Sequence, residues 1–359
     1  MALLIKNTQR NPKIEIVQMA INLSIGSYVS SISEIVGSKT GLCLNEIQLS
    51  DIVREHSEEE SEIFKANKER WIRIRSEDFE STVAWLLYKT GFTDKLYSKF
   101  EHIKIFHKYK NNEIALKIYN ATLEAWCEHL KFSLNEFENE RISAIDPTPV
   151  IDIIKAKYGE LGFIIASELV LAFFIEQKVN IWTSVNNTQW RDIKDLEELF
   201  KSESLETQYG SFLDQRFIHY LINNFDDIEK IHWRKFEGLA CEYFDKKGCH
   251  VEIGPGRDDG GVDLRVWDEK GNPEGPACIL IQCKRQKSKV EKVVVKALWA
   301  DILDENAQSG LIVTSSALSK GARAVCNARS YNIAEVNRNT LLNWLKEMRI
   351  PGHGIFMGE

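Results

Sequence analysis

Residues 236–285 read FEGLACEYFDKKGCHVEIGPGRDDGGVDLRVWDEKGNPEGPACILIQCKR. The segment opens with helical spacing: Trp233, Phe236, Ala240, Cys241 and Phe244 fall on one stripe, predicting a helix over 233–247. Short β-rich runs follow at 249–253, 262–267 and 278–284, separated by Gly/Pro/Asp-rich turns. Side chains alternate across a strand, so Leu280, Gln282 and Lys284 share one face and Ile279, Ile281 and Cys283 the other. A run this apolar suits a central strand, where an amide and an ammonium at its end need partners. Working outward, the pattern continues with helix 290–303, strand 311–315, helix 319–330, strand 332–336 and helix 340–348. Three strands before a crossover helix indicate an α/β domain.

A hairpin through 268–276 would carry Asp263 toward the strand holding Gln282 and Lys284. Glu237 lies on the apolar stripe of the first helix, and a core-facing carboxylate must be paired or ligated. Pairing with a nearby Lys or Arg and metal ligation are equally open from that fact alone. Acid, amide oxygen and lysine together suit a hard cation such as Mg²⁺ and a water held for attack on phosphorus.

Phe236-Glu237, the Asp259–Asp263 turn DGGVD and the strand Gln282-Cys283-Lys284 resemble the Mrr-type catalytic domain of restriction endonucleases, in the PD-(D/E)xK nuclease superfamily. The later stretch SGLIVTSSALSKGARAVCNARSYNIAEV resembles that family's next strand–helix–strand, so about 120 residues preserve motif order. The resemblance implies a metal-dependent endonuclease acting on DNA, with Mg²⁺ as cofactor and Mn²⁺ able to substitute. It makes Asp263 the principal metal ligand, joined by the Gln282 side-chain oxygen and the Cys283 backbone carbonyl. Lys284 would position the attacking water and Glu237 act from the helix. The expected fold is a mainly α N-terminal domain followed by an α/β restriction-endonuclease-like domain with a central mixed sheet flanked by helices.

Arg257, Arg265 and Arg285 flank these positions, and Lys287, Lys289, Lys292 and Lys296 lead into the next helix. A phosphate-tracking patch and a solvated face are both open readings, as they are for Lys320 and Arg323. The apolar stripe of that helix is read as Val290, Val293, Val294, Ala297 and Leu298. Asp258 and Asp259 suit a turn first and a metal neighbourhood second.

Across 359 residues the charge is uneven: residues 1–231 hold 27 Lys+Arg against 36 Asp+Glu, and residues 232–359 hold 19 against 17. The balance of +2 in the second segment, against −9 in the first, fits a nucleic-acid module at the C-terminus. Seven cysteines form no CxxC pair, which argues against a disulfide framework or a zinc site. Neither a secretory signal nor a spanning helix is expected, Leu161–Ile175 being read as a buried core helix, so the expected compartment is the cytoplasm and no membrane is involved.

Residues 1–200 read as mostly helical, over Ile14–Val36, Phe79–Leu87, Ile114–Phe132 and Val150–Ile175. Asp146-Pro147-Thr148-Pro149 signals a helix start. Glu58–Arg75 reads as one exposed, charge-paired helix; a partner face through Lys65, Lys68, Arg70, Arg73 and Arg75 is the weaker reading. The division expected is a sensor, regulatory or oligomerisation domain at 1–205, a linker and lead-in helix at 206–231, and the nuclease at 232–350. A homodimer or higher oligomer follows from the need to cut two strands with one site each. A regulatory partner would act through the N-terminal domain. A structure-specific repair nuclease, a silent DNA-binding scaffold and an RNA substrate are the competing readings.

Overall fold

The computed structural model describes residues 20–97, 100–138, 145–181, 190–256, 261–268 and 275–350. The N-terminal part contains β1 (Ala20–Ser24), α1 (Ile25–Thr40), β2 (Leu42–Cys43), α2 (Glu46–Arg54), α3 (Glu58–Lys65), β3 (Trp71–Arg75) and α4 (Ser76–Lys89). Next come α5 (Glu101–Tyr109), α6 (Glu113–Glu138), α7 (Thr148–Val179), β4 (Lys194–Asp195), α8 (Glu197–Lys201) and α9 (Gln215–Asn223). After a 3-10 turn, Phe225–Glu229, follow α10 (Trp233–Lys246), β5 (His250–Ile253), β6 (Leu264–Trp267), β7 (Ile279–Lys284) and α11 (Lys292–Asp304). The last elements are β8 (Ser309–Thr314), α12 (Lys320–Arg329), β9 (Ile333–Val336) and α13 (Arg338–Met348).

Strands β5 to β9 form one mixed sheet in sequence order, β5–β6–β7 antiparallel and β7–β8–β9 parallel. The alternation expected along β7 holds. Ile281 joins the core on the side of α10 and α13, and Leu280 the core on the side of α11 and α12. The mainly helical N-terminal part and the sheet flanked by helices are as expected.

Three local expectations need correction. Residues 20–24, read as helix, form β1, which pairs antiparallel with β3. The charged run 58–75 is not one helix: α3 ends at Lys65 and WIRIR becomes β3, because Ile72 and Ile74 at period two pack on the core while Trp71 and Arg73 do not. Helix α11 starts two residues late, after Val290 bridges to Leu318, and its buried stripe is Val295, Leu298 and Ile302; Val293 is 70% exposed. The helix-start signal at 146–149 is realised, with the Asp146 carboxylate accepting the Thr148 N–H at 2.9 Å.

The largest core is continuous from α1 through α9 to α13. Phe217, Ile218, Leu221, Ile228 and Ile231, from the stretch expected to link two domains, are fully buried within it. Helices α5, α6 and α7 hold a separate core around Trp126, Ile165 and Leu169. Helix α7 is broken at Gly159 and, by length and composition alone, is apolar enough to cross a membrane. Part of the stretch read as a buried helix is not buried, since Leu161, Ile164 and Leu171 are each more than 40% exposed.

Candidate active site

Asp263 precedes β6, where the ladder with β7 stops at Leu264–Ile281. Beyond that pair its side chain takes over from backbone: the Asp263 carboxylate accepts the Cys283 N–H at 2.6 Å, and its own N–H donates to the Ile281 carbonyl at 2.9 Å. This fixes a buried acid against the peptide between Gln282 and Lys284. Gly261 has φ +100°, and a Cβ there would lie 3.3 Å from Gln282 Nε2 and 3.9 Å from Asp301 Oδ2. A glycine at this position therefore allows both the backbone turn and the approach of Gln282.

Helix α10 supplies the second acid. Glu237 is buried on the inner side of α10, beside Phe236, Ala240 and Cys241. Its Oε2 accepts from Arg234 Nη1 at 2.8 Å, so the pairing with a nearby cation is realised. Arg234 and Trp233 in turn cover Gly256, whose φ of +83° no L side chain adopts easily. Gly256 is thereby seated on the start of α10. Burial, together with the nearby carboxylates of Asp263 and Glu237, pushes the Cys283 thiol well above its usual range, and Lys284 opposes the shift.

Gln282 is 5% exposed, and its Oε1 is buried without a hydrogen-bond partner. A buried amide oxygen left in this state is costly, and a hard cation is one group that would satisfy it. Among the described residues no group of three or more His, Cys, Asp or Glu side chains converges to hold a metal. A cation here would therefore rest on the Asp263 carboxylate, the Gln282 oxygen and the Cys283 backbone carbonyl. That mixed oxygen set suits Mg²⁺ or Mn²⁺ better than zinc.

The flanking charges divide. Arg265 is forked to Glu305 at 2.7 and 2.6 Å, and Arg323 to Glu335 at 2.9 and 3.0 Å, so both are engaged in ion pairs. Arg285 donates to the Glu229 carbonyl at 2.6 Å, and Lys287 stands 3.8 Å from the Glu229 carboxylate. Lys289, Lys292 and Lys296 are exposed. Arg257, Asp258 and Asp259 lie outside the described residues. All seven cysteines are free thiols.

Sequence reasoning missed Arg234 and Asp301. Arg234 was legible, standing three residues before Glu237 on a helix. Asp301 has a buried Oδ2 without a partner and a carboxyl raised by burial and by Glu305 and Asp304; nothing in its spacing marked it.

Residues 228–345 match the family model Mrr_cat, described as restriction endonuclease. No curated protein matches the chain. Among solved structures, the chain is similar to MspJI restriction endonuclease in complex with a 27-mer oligonucleotide, at 18% identity and a TM-score of 0.26. That likeness covers 51% of this chain and 40% of the other, well under half of its length.

Proposed function

We propose that the C-terminal domain, whose residues 228–345 match the restriction endonuclease family, is a metal-dependent endonuclease that hydrolyses phosphodiester bonds in DNA. The observation that carries this reading is the Asp263 carboxylate held on the Cys283 N–H, beside the partnerless Gln282 oxygen and Lys284. Asp263, Gln282 Oε1 and the Cys283 carbonyl would hold Mg²⁺, with Mn²⁺ able to substitute. When bound, the cation supplies charge to a phosphoryl oxygen and acidifies water.

The protein's own groups do the rest. Lys284, next along the strand, orients the attacking water and offsets charge developing on the phosphate. Glu237, oriented by Arg234, accepts a hydrogen bond from that water. The closed apolar layers around β7 keep bulk solvent from these groups and strengthen their interactions.

The role proposed is restriction of foreign DNA or anti-phage defence, in the cytoplasm, with residues 232–350 as the nuclease and residues 1–205 sensing a target, a partner or a second copy. The test is cleavage of methylated and unmethylated plasmid, single-stranded DNA and RNA by the full chain in Mg²⁺, Mn²⁺ or EDTA, beside Lys284→Ala. The expected result is metal-dependent cutting of DNA, lost in the variant. Cutting that survives in EDTA or in Lys284→Ala would sink the reading.

A further inference from the structure

The 3-10 turn Phe225–Glu229 carries three acids in five residues, FDDIE. It lies against the end of the candidate catalytic strand. Arg285, the residue after Lys284, donates from Nη1 to the Glu229 carbonyl at 2.6 Å, and its Nε is buried without a partner. Lys287 is 3.8 Å from Glu229 Oε2. Arg338, at the first position of α13, reaches Asp226 at 2.5 Å and Glu229 at 3.4 Å, and its guanidinium stacks over the Phe225 ring at 4.7 Å. Three cations from two distant parts of the sequence thus meet one short acidic turn.

The contact is not needed for the turn's own geometry. Asp227, the third acid, is bound locally, accepting from Tyr220 Oη at 2.5 Å and Lys230 Nζ at 2.7 Å. Asp226 by contrast is fully exposed apart from its pairing with Arg338. An exposed carboxylate ion pair contributes little to stability, so a structural role explains it poorly.

From this placement we propose that Arg285, Lys287 and Arg338 form a phosphodiester-binding cluster beside the site, and that the acidic turn masks it by occupying the cations a nucleic-acid backbone would take. The proposal rests on the nuclease reading for its substrate class, and it adds Arg338 to the binding surface. Nucleic acid binds by displacing the Asp226 and Glu229 carboxylates from Arg338 and Lys287, as one anion replacing another, beside Arg285, which the Glu229 backbone carbonyl holds. No covalent step is involved.

The experiment uses the full chain, a short fluorescein-labelled DNA duplex and anisotropy in EDTA, between about 50 and 200 mM salt. Asp226→Asn, which alters a fully exposed side chain, and Asp226→Asn/Glu229→Gln are compared with the parent. Each freed cation is expected to tighten binding several-fold at low salt and to steepen log K against log salt by about 0.9. Adding Arg338→Gln should reverse the gain of Asp226→Asn. Unchanged affinity and slope in Asp226→Asn, or a gain that persists when Arg338 is replaced, would overturn the proposal. Should the double variant fail to unfold cooperatively, the single variant decides. Plasmid cleavage in Mg²⁺ separates the two claims. Unchanged binding with cutting that depends on Lys284 removes the mask alone. Tighter binding without any cutting supports the cluster and removes the nuclease.

Discussion

Replacing Gln282 by Met tests the metal assignment through stability, without needing a substrate. Methionine fills nearly the same space and brings no polar oxygen. In the structure Gln282 Oε1 is buried and partnerless in a side chain 5% exposed, so the metal-free protein carries an unsatisfied acceptor. Such a group costs about 1–3 kcal/mol. Gln282→Met is therefore expected to stabilise the protein in EDTA by about that amount, or to raise Tm by ~1–4 °C for a chain of this size. The parent should gain from Mg²⁺ what the variant does not: at a hundredfold excess over Kd, bound ligand adds about 2.7 kcal/mol. Urea titration and thermal unfolding, each with EDTA and with Mg²⁺, give all four values. A variant less stable than the parent in EDTA would mean that Oε1 has a partner in solution, and the reasoning would fail. A variant that keeps the full Mg²⁺ shift would show that the amide is not a ligand.

Three other outcomes follow from separate features. Glu242, 1% exposed, accepts three backbone N–H groups, from Ser211, Phe212 and Leu213, at 2.8, 2.8 and 3.2 Å, so Glu242→Ala should cost about 3–5 kcal/mol in urea unfolding; a loss below about 1 kcal/mol would refute this account of the loop. His219, buried against the Ile350 carbonyl and near Arg349, is held down to about 4 from 6.5, chiefly by burial. Its folded value is the lower one, so the stability it confers is fully present above pH 6.5 and drains away as pH falls toward 4, about 3 kcal/mol in all; His219→Gln should flatten that slope, and an unchanged slope would assign it to other groups. Gly261→Ala forces a side chain into φ +100° and against Gln282 Nε2, so it should destabilise the protein by about 1–3 kcal/mol and reduce cleavage together; full activity at parental stability would contradict the turn's role.

The C-terminal sheet domain was legible because its elements are short and each carries a strong local signal. The apolar run 279–284 reads as a central strand, and a hairpin through 268–276 was expected to carry Asp263 toward it, as the β6–β7 pairing does. The N-terminal part was harder to read for a physical reason. Its first strand, AINLS, is five residues whose partner, β3, lies about fifty residues away, so no local pattern marks it. Ile72 and Ile74 did alternate, but the surrounding run of charges at helical spacing masked a two-residue signal. Val290 belongs to the same class, since its bridge to Leu318 moves the helix start. Glu237 illustrates the converse, a charge on an apolar stripe that has to be paired or ligated, and the structure pairs it. That partner, Arg234, was in reach of the i,i+3 rule.

The burial of α9 bears on how the helical part could influence the site. Lys89, at the end of α4, donates to the Asn223 carbonyl at 3.1 Å; Asn224 donates back to the Lys89 carbonyl at 2.6 Å, and Asn223 to the Tyr88 carbonyl at 2.5 Å. One residue later the chain enters the acidic turn that holds Arg285 and Arg338. The N-terminal helices therefore grip the segment immediately before the turn, through side-chain-to-backbone hydrogen bonds that a shift of α4 cannot leave unmade without cost. A ligand that moved α4 would need to bind the moved and resting arrangements with different affinity to affect the turn at all. On the masking proposal this gives a measurable consequence. Asn224→Ala, which removes one of the side chains tying α9 to α4 but touches neither the basic cluster nor the site, should tighten duplex binding in the same direction as Asp226→Asn. A change confined to thermal stability, with the salt slope unaltered, would mean that the grip of α4 on α9 is structural and that the turn does not answer to it.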